Sequence, residues 1–464
     1  MIGINDNKLY SNILVFKFSN FNLDYTKEIS EIMKFSTNNG EFKELETINT
    51  LGMCSYKKLF VVGLGTTEEF SEIKLFKALG TAIGAIKDSI DDLDILDNLP
   101  EDFGYILGQS IQISIYKYAG IKKEHEKIKL QNINVISKYK ESISKGVIIG
   151  NCINFSRQLV NMPSNIVTPK YLTQQAENIS TDEKLDIDII DKYRLEQMGM
   201  NSILAVCSGS SHSPRLIVLQ YFGDAENKEI ISLIGKGVTF DSGGISLKPA
   251  KGMESMSGDM AGASYVLGIM KAVGSIRPKK NIIGLIPVVE NMPSGNSYRP
   301  GDVITTYSGK TVQVISTDAE GRLILCDAIT YAKELGATKI IDIATLTGSC
   351  ANFLGGINAG LFSNSDNLSS SIIKSGNAVG ENFWRLPNNE EYFEQLKTDK
   401  ADLKNTGTDS GAVVAGMFLE SFSEGVDFAH LDIAGCSSYS KPHDGYDIGA
   451  NGITMRTIIE YLLK

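Results

Sequence analysis

The residues best placed to do chemistry in this 464-residue chain are carboxylates that follow apolar runs. The run from Ile230 to Ile234 leads into Gly235-Lys236-Gly237-Val238-Thr239-Phe240-Asp241-Ser242-Gly243-Gly244. Lys248 and Asp259 come next, the latter just before a helical stretch. A second run, Val312 to Ile315, leads into Ser316-Thr317-Asp318-Ala319-Glu320-Gly321-Arg322. Asp318 and Glu320 are two residues apart, so in an extended segment they point to the same side. Carboxylates that close repel, and one takes up a proton unless cations neutralise them. A metal site resolves the conflict, and a carboxylate-rich, histidine-free one favours oxygen-loving divalent ions, with zinc admissible. The competing reading of Asp318 and Glu320 is that they cap the following helix, where carboxylates are favoured. Taken singly, Lys236 reads as a solvated lysine and Asp241 as a turn residue. The argument for a site is their concentration at strand ends.

Other routes fail. The histidines are His125, His212, His430 and His443, and no HExxH is present. Gly235-Lys236-Gly237 lacks the upstream glycine and following Ser or Thr of a phosphate loop. Asp241-Ser242-Gly243-Gly244 has the look of a serine-nucleophile turn, but there is no GxSxG and no histidine in a suggestive context. Gly63-Leu64-Gly65 is too short for a dinucleotide fingerprint and reads as a turn.

The elements that must hold these residues are legible as patterns. Leu216–Phe222, Ile230–Ile234, Ile282–Val289 and Lys339–Ile343 are nearly continuous aliphatic runs, as in strands buried on both faces. Helical spacing covers Ala261–Val273 and Arg322–Leu335 between them. Strands alternating with helices predict a mainly parallel sheet, whose ligand site lies beyond the carboxyl ends of the strands. The first 140 residues carry a buried strand at 58–62 and a helix at 72–88, a small α/β unit with no catalytic cluster. A helix over Val147–Val160 stops before Asn161-Met162-Pro163-Ser164. The expected fold is α/β: a small N-terminal α/β domain (1–140), a connecting helix (141–162) and a larger catalytic domain (163–464) with a mainly parallel central sheet flanked by helices.

Composition narrows the function. Apolar residues make up 42% and charged residues 22%, which is ordinary globular chemistry. The net charge of -10 weighs against phosphate-neutralising nucleic-acid binding. No apolar run approaches the length of a membrane span, so no membrane partner is expected. The N-terminus MIGINDNKLYSN has no basic stretch followed by an apolar one, so it does not read as a secretory signal. The six cysteines are scattered with no CxxC pair and read as buried thiols, which points to the cytoplasm.

The segments 235–244 and 316–323 resemble the two signatures of the leucyl (cytosol) aminopeptidase family. Lys248 and Asp259 fit its spacing. Thr345-Leu346-Thr347-Gly348, Ala401-Asp402-Leu403-Lys404-Asn405 and His430-Leu431-Asp432-Ile433-Ala434-Gly435 are further matches. The resemblance covers residues about 155–464 and implies two bridged divalent metals. By position, Lys236, Asp241, Asp259 and Glu320 hold the tighter ion, and Asp241, Asp318 and Glu320 the exchangeable one. Zinc or manganese is expected, with magnesium or cobalt as further choices. Two dications balance four carboxylates, so the site is neutral if Lys236 ligates as the free amine.

The resemblance also implies the reaction: metal-activated water attacks the first peptide bond of a short peptide. Lys248 polarises the carbonyl, and Arg322 holds a bicarbonate that serves as general base. Met256, Thr345 and Gly348 line the pocket for the first side chain, preferably leucine-like. A homohexamer with sites facing an inner cavity is the implied assembly. Ser316 stands where the family usually has Asn, Asn451 where Thr is common, and Ser257-Gly258 before Asp259 is unusual. Two other readings are a DNA-binding regulator, which the net charge disfavours, and a two-metal phosphoesterase.

Overall fold

The computed structural model describes residues 2–5, 10–123 and 128–464. His125 lies outside them. The chain forms two compact units, residues 1–154 with 439–449 and residues 155–438 with 450–464. This division differs from expected boundaries at 140 and 163. The connecting segment is one helix, Lys140–Asn161, most of which belongs to the first unit. The eleven residues 439–449 also belong to that unit, far in sequence from the rest of it.

The first unit is built on a six-stranded sheet in the order Ile2–Ile4, Asn132–Ile136, Asp92–Leu96, Asn12–Lys17, Lys58–Gly63, Leu45–Asn49. Only Leu45–Asn49 runs antiparallel to its neighbour. The Lys58–Gly63 strand is buried from Leu59 onward, as its unbroken apolar run requires. Helix Glu72–Ile86 starts at Ser71, whose side chain accepts the Lys74 N–H, and buries Leu75, Phe76, Leu79 and Ile83 on one face.

The second unit contains a nine-stranded sheet. Its four central strands, Asp427–Asp432, Lys339–Ala344, Ile230–Gly235 and Asn281–Asn291, are mutually parallel. Gly237–Asp241 pairs in parallel with the end of Asn281–Asn291. Arg215–Phe222 and Asp186–Ile190 complete one side antiparallel, and Asn358–Ser363 turns antiparallel on the other. Because the central strands share a direction, Gly235, Asn291, Ala344 and Asp432 end at the same edge. Helix Ala261–Ile276 is buried along nearly its whole length. It stops at Arg277 in the left-handed region (φ 56°), just before Pro278, which cannot continue a helix.

All six cysteines are free; five are buried, but Cys54 is only half-buried. Among the described residues, no helix is long and apolar enough to cross a membrane.

Candidate metal centre

Lys236 is fixed first by its backbone. It leaves the Ile230–Gly235 strand with its N–H donating to the Ile343 carbonyl (3.1 Å) and its carbonyl accepting from Ala263 N–H (2.9 Å). Its side chain then crosses Gly321, where a Cβ would sit 2.6 Å from Lys236 Cε. Only a residue without a side chain leaves room for that path. The ammonium donates to Asp259 Oδ1 and to the Thr345 carbonyl, both at 2.8 Å. Asp259 Oδ2 lies 2.8 Å and Glu320 Oε1 2.9 Å from the same nitrogen.

The carboxylates arrive from four places. Asp241 ends the Gly237–Asp241 strand; its Oδ1 accepts from Gly243 N–H (2.9 Å) and Asn291 Nδ2 (2.8 Å). Asp259 closes the short 3-10 helix Met253–Gly258 and accepts from Thr345 Oγ1 at 2.7 Å. Glu320 is the first residue of helix Glu320–Glu334. Asp318 sits in the turn just before it. Oxygens of Asp241, Asp259 and Glu320 lie within 4.8 Å of one another, the one such group among the described residues.

Asp318 does not join that tight group, which corrects the expectation of an extended segment with Asp318 and Glu320 side by side. The chain turns at 317–318 and enters a helix at Glu320. Asp318 is instead brought in by Lys248, whose ammonium donates to Asp318 Oδ1 and lies 2.8 Å from Asp241 Oδ2. The bend at Gly243 (φ 86°) supplies the close approach, since a Cβ there would lie 2.9 Å from Asp318 Oδ1. The capping reading holds only in part: the N-cap is Ala319 with no side-chain capping bond, while Glu320 does place a carboxylate in the first turn.

The electrostatics follow from this crowding. Four carboxylates face two ammonium groups, leaving two formal negative charges uncompensated if all are ionised. Burial and the neighbouring Asp241 push the Glu320 carboxyl well above its ordinary value. Burial does the same for Asp259 and Asp318. Burial opposes the charge of Lys236, but Asp259, Glu320 and Asp241 outweigh it and raise its pKa. Lys236 is therefore an ammonium here, so ligating as the free amine requires it to give up a proton. Glu320 Oε2 is buried without a hydrogen-bond partner, whereas Asp259 Oδ2 has the Lys236 ammonium 2.8 Å away as its one charged neighbour. A buried carboxylate oxygen without a partner is costly unless a cation takes it, so the donor set fits hard divalent ions.

Arg322 lies two residues into the same helix and is buried. Its Nη1 donates to the Asn405 carbonyl at 2.7 Å, whereas Nε has no partner. Burial pushes its pKa down to about 10, against the pull of Glu320 and Asp432. Met256 and Thr345 are half-buried and both touch Asp259, Met256 through its carbonyl, which accepts the Asp259 N–H at 3.2 Å. Gly348 is exposed, and open space lies where its Cβ would be.

Sequence reasoning linked Ser316 to hydrogen-bond support of the metal loop, but gave no such role to Asn291, Thr317 or Asn405. Asn291 Nδ2 donates to both Asp241 and the Thr317 carbonyl (3.0 Å). Thr317 Oγ1 donates to the Gly243 carbonyl at 2.6 Å, joining the two signature segments. Asn405 accepts from Ile315 N–H and donates to the Ser316 carbonyl, both at 2.7 Å. Ser316 Oγ itself accepts the Asp318 N–H at 3.2 Å. The available signal was a polar residue placed where a buried run ends, as at Asn291.

Residues 154–459 match the model described as the cytosol aminopeptidase family, catalytic domain. A probable cytosol aminopeptidase of Alkaliphilus metalliredigens (strain QYMF) is 38% identical, over 93% of this chain and 90% of that protein. One from Geotalea uraniireducens (strain Rf4) is 38% identical over 91% and 88%. The solved structure titled bottromycin maturation enzyme BotP in complex with Mn superposes with a TM-score of 0.88 at 26% identity, covering 98% of this chain and 99% of that one. The chain belongs to the cytosol aminopeptidase family, whose activity is metal-dependent aminopeptidase hydrolysis of peptides.

Proposed function

We propose that the chain releases N-terminal residues, leucine-like by preference, from short peptides at a centre for two divalent ions. The observation that carries this reading is the convergence of Asp241, Asp259 and Glu320, with Asp318 joined to Asp241 through Lys248 and a buried oxygen of Glu320 left without a partner. Lys236, Asp241, Asp259 and Glu320 would hold the tighter ion, and Asp241, Asp318 and Glu320 the exchangeable one. Manganese or zinc suits this donor set, and the manganese complex of the BotP structure supports the first. Such ions lower the pKa of water toward neutrality and polarise a peptide carbonyl.

The chain's own groups do the rest. Lys248, on the more open side, presents an N–H donor where charge develops on the carbonyl oxygen. Arg322 has a buried, unpartnered Nε, and its planar fork would hold a planar anion such as bicarbonate, which would supply a general base there. Met256, Thr345 and Gly348 bound the space for the first side chain, with Gly348 leaving it open. The N-terminal unit serves oligomerisation or regulation, the assembly is a homohexamer, and the site of action is the cytoplasm.

A panel of aminoacyl p-nitroanilides, assayed after chelation and after reloading with Mn2+ or Zn2+, tests the reading. The expected result is metal-dependent cleavage, fastest for leucine and methionine, with N-acetyl-leucine p-nitroanilide and p-nitrophenyl phosphate left intact. Equal cleavage of the N-acetylated substrate, or of the phosphate ester alone, would contradict it.

A further inference from the structure

Behind the metal centre lies a buried polar assembly that the proposed reaction does not use. Asp342 and His430 face each other across paired strands, as do Ala344 and Asp432. His430 Nδ1 and Asp342 Oδ1 share a 2.7 Å hydrogen bond, and His430 Nε2 lies 4.0 Å from Asp432 Oδ2. All three side chains are sealed from solvent. Burying two carboxylates is costly unless their lone pairs are satisfied. Asp432 satisfies its own on the loop that follows Ala344. Its Oδ1 accepts the N–H groups of Leu346 (3.2 Å), Thr347 (3.5 Å) and Ala434 (3.1 Å), and its Oδ2 accepts Thr347 Oγ1 at 2.7 Å. The Thr347 hydroxyl in turn caps helix Gly348–Leu354 by accepting the Cys350 N–H at 3.0 Å.

The other end of this loop is Thr345. Its carbonyl accepts from Lys236 Nζ, and its hydroxyl donates to Asp259 Oδ1. We propose that Asp432, acting through Thr347, is a positioning residue that holds the 345–347 loop so that Thr345 aims Lys236 and Asp259 at the tighter ion. The proposal rests on the reading of Lys236 and Asp259 as ligands. Its consequence is selective: among the four carboxylates, Thr345 touches Asp259, whereas Asp318 is held by Lys248 and the 316–317 loop.

The test is Mn2+ equilibrium dialysis on the full chain and on Thr347→Val, Thr347→Ser and Asp432→Asn, with thermal unfolding alongside. Outer partners of metal ligands typically set affinity by about 10-fold or more. Thr347→Val and Asp432→Asn are expected to weaken the tighter ion about 10-fold while the weaker ion is unchanged. Thr347→Ser, which keeps the hydroxyl, restores the parent affinity. Unchanged binding in both weakening variants overturns the proposal. Equal weakening of both ions with a fall in melting temperature also overturns it, because that marks a merely structural role. If Thr347→Val does not fold, Asp432→Asn and the serine variant decide between the same outcomes. A parent chain that binds no Mn2+ removes the metal reading itself, and the loop's role with it.

Discussion

The centre has two ends built on the same motif and set at different depths. At the inner end an ammonium, Lys236, lies between Asp259 and Glu320, with side-chain exposures of 3%, 8% and 2%. At the outer end another, Lys248, joins Asp241 to Asp318, and here Lys248 is 22% and Asp318 38% exposed. The same pairing has different consequences. Removing one partner of a buried ion pair strands the other charge at a cost of about 3–5 kcal/mol, whereas solvent compensates an exposed one. On the proposed reading the inner end, where Lys236 supplies a cation in the absence of metal, would hold its ion more tightly than the outer end, where Asp318 is open to solvent although Asp241 is buried. That contrast supports a tight ion inside and an exchangeable one outside.

The strongest way to break the contrast is Glu320→Ala, which removes an oxygen set from the inner end. We expect metal loss and a fall in kcat/KM of about 10³-fold, because transition-state charge loses its support. Retained activity in dialysed, metal-analysed protein would refute it. Lys248→Ala sharpens the contrast. Metal content should hold while kcat falls about 10²-fold, the usual cost of one donor to a developing oxyanion. If metal content falls with kcat, Lys248 belongs to the binding of ions and not to the reaction.

A smaller effect is expected with pH. Lys236 is held above the ordinary lysine pKa, and Glu320 and Asp259 above the ordinary carboxylate values. Ions must displace those protons, so affinity should rise with pH and fall as pH falls, about tenfold per pH unit for each proton released. Calorimetry in buffers of different ionisation enthalpy counts the protons. Binding of the inner ion that is independent of pH would show that Lys236 stays an ammonium.

Much of this arrangement was legible in the sequence, for definite reasons. The runs at 230–234 and 339–343 are apolar because both faces of those strands are covered, and the observed strands Ile230–Gly235 and Lys339–Ala344 differ by a residue at one end. Asp241, Asp259 and Glu320 stood out because charge right after a buried strand, or at the start of a buried helix, calls for a reason. The separate strand Gly237–Asp241 was not foreseen, since Lys236 broke the apolar pattern that marks a strand. The turn at Asp318 was missed because side-chain alternation says nothing about where an extended segment ends. Asn291 and Asp432 bind partners 50 and about 85 positions away, through hydrogen bonds that no local pattern encodes.

The most direct test of the central claim is the metal content of the parent chain after loading with Mn2+ and after brief chelation. The account predicts two ions per chain, with one lost quickly from the Asp318 end and one retained at the Lys236 end. A single ion, or two ions lost at the same rate, would contradict it.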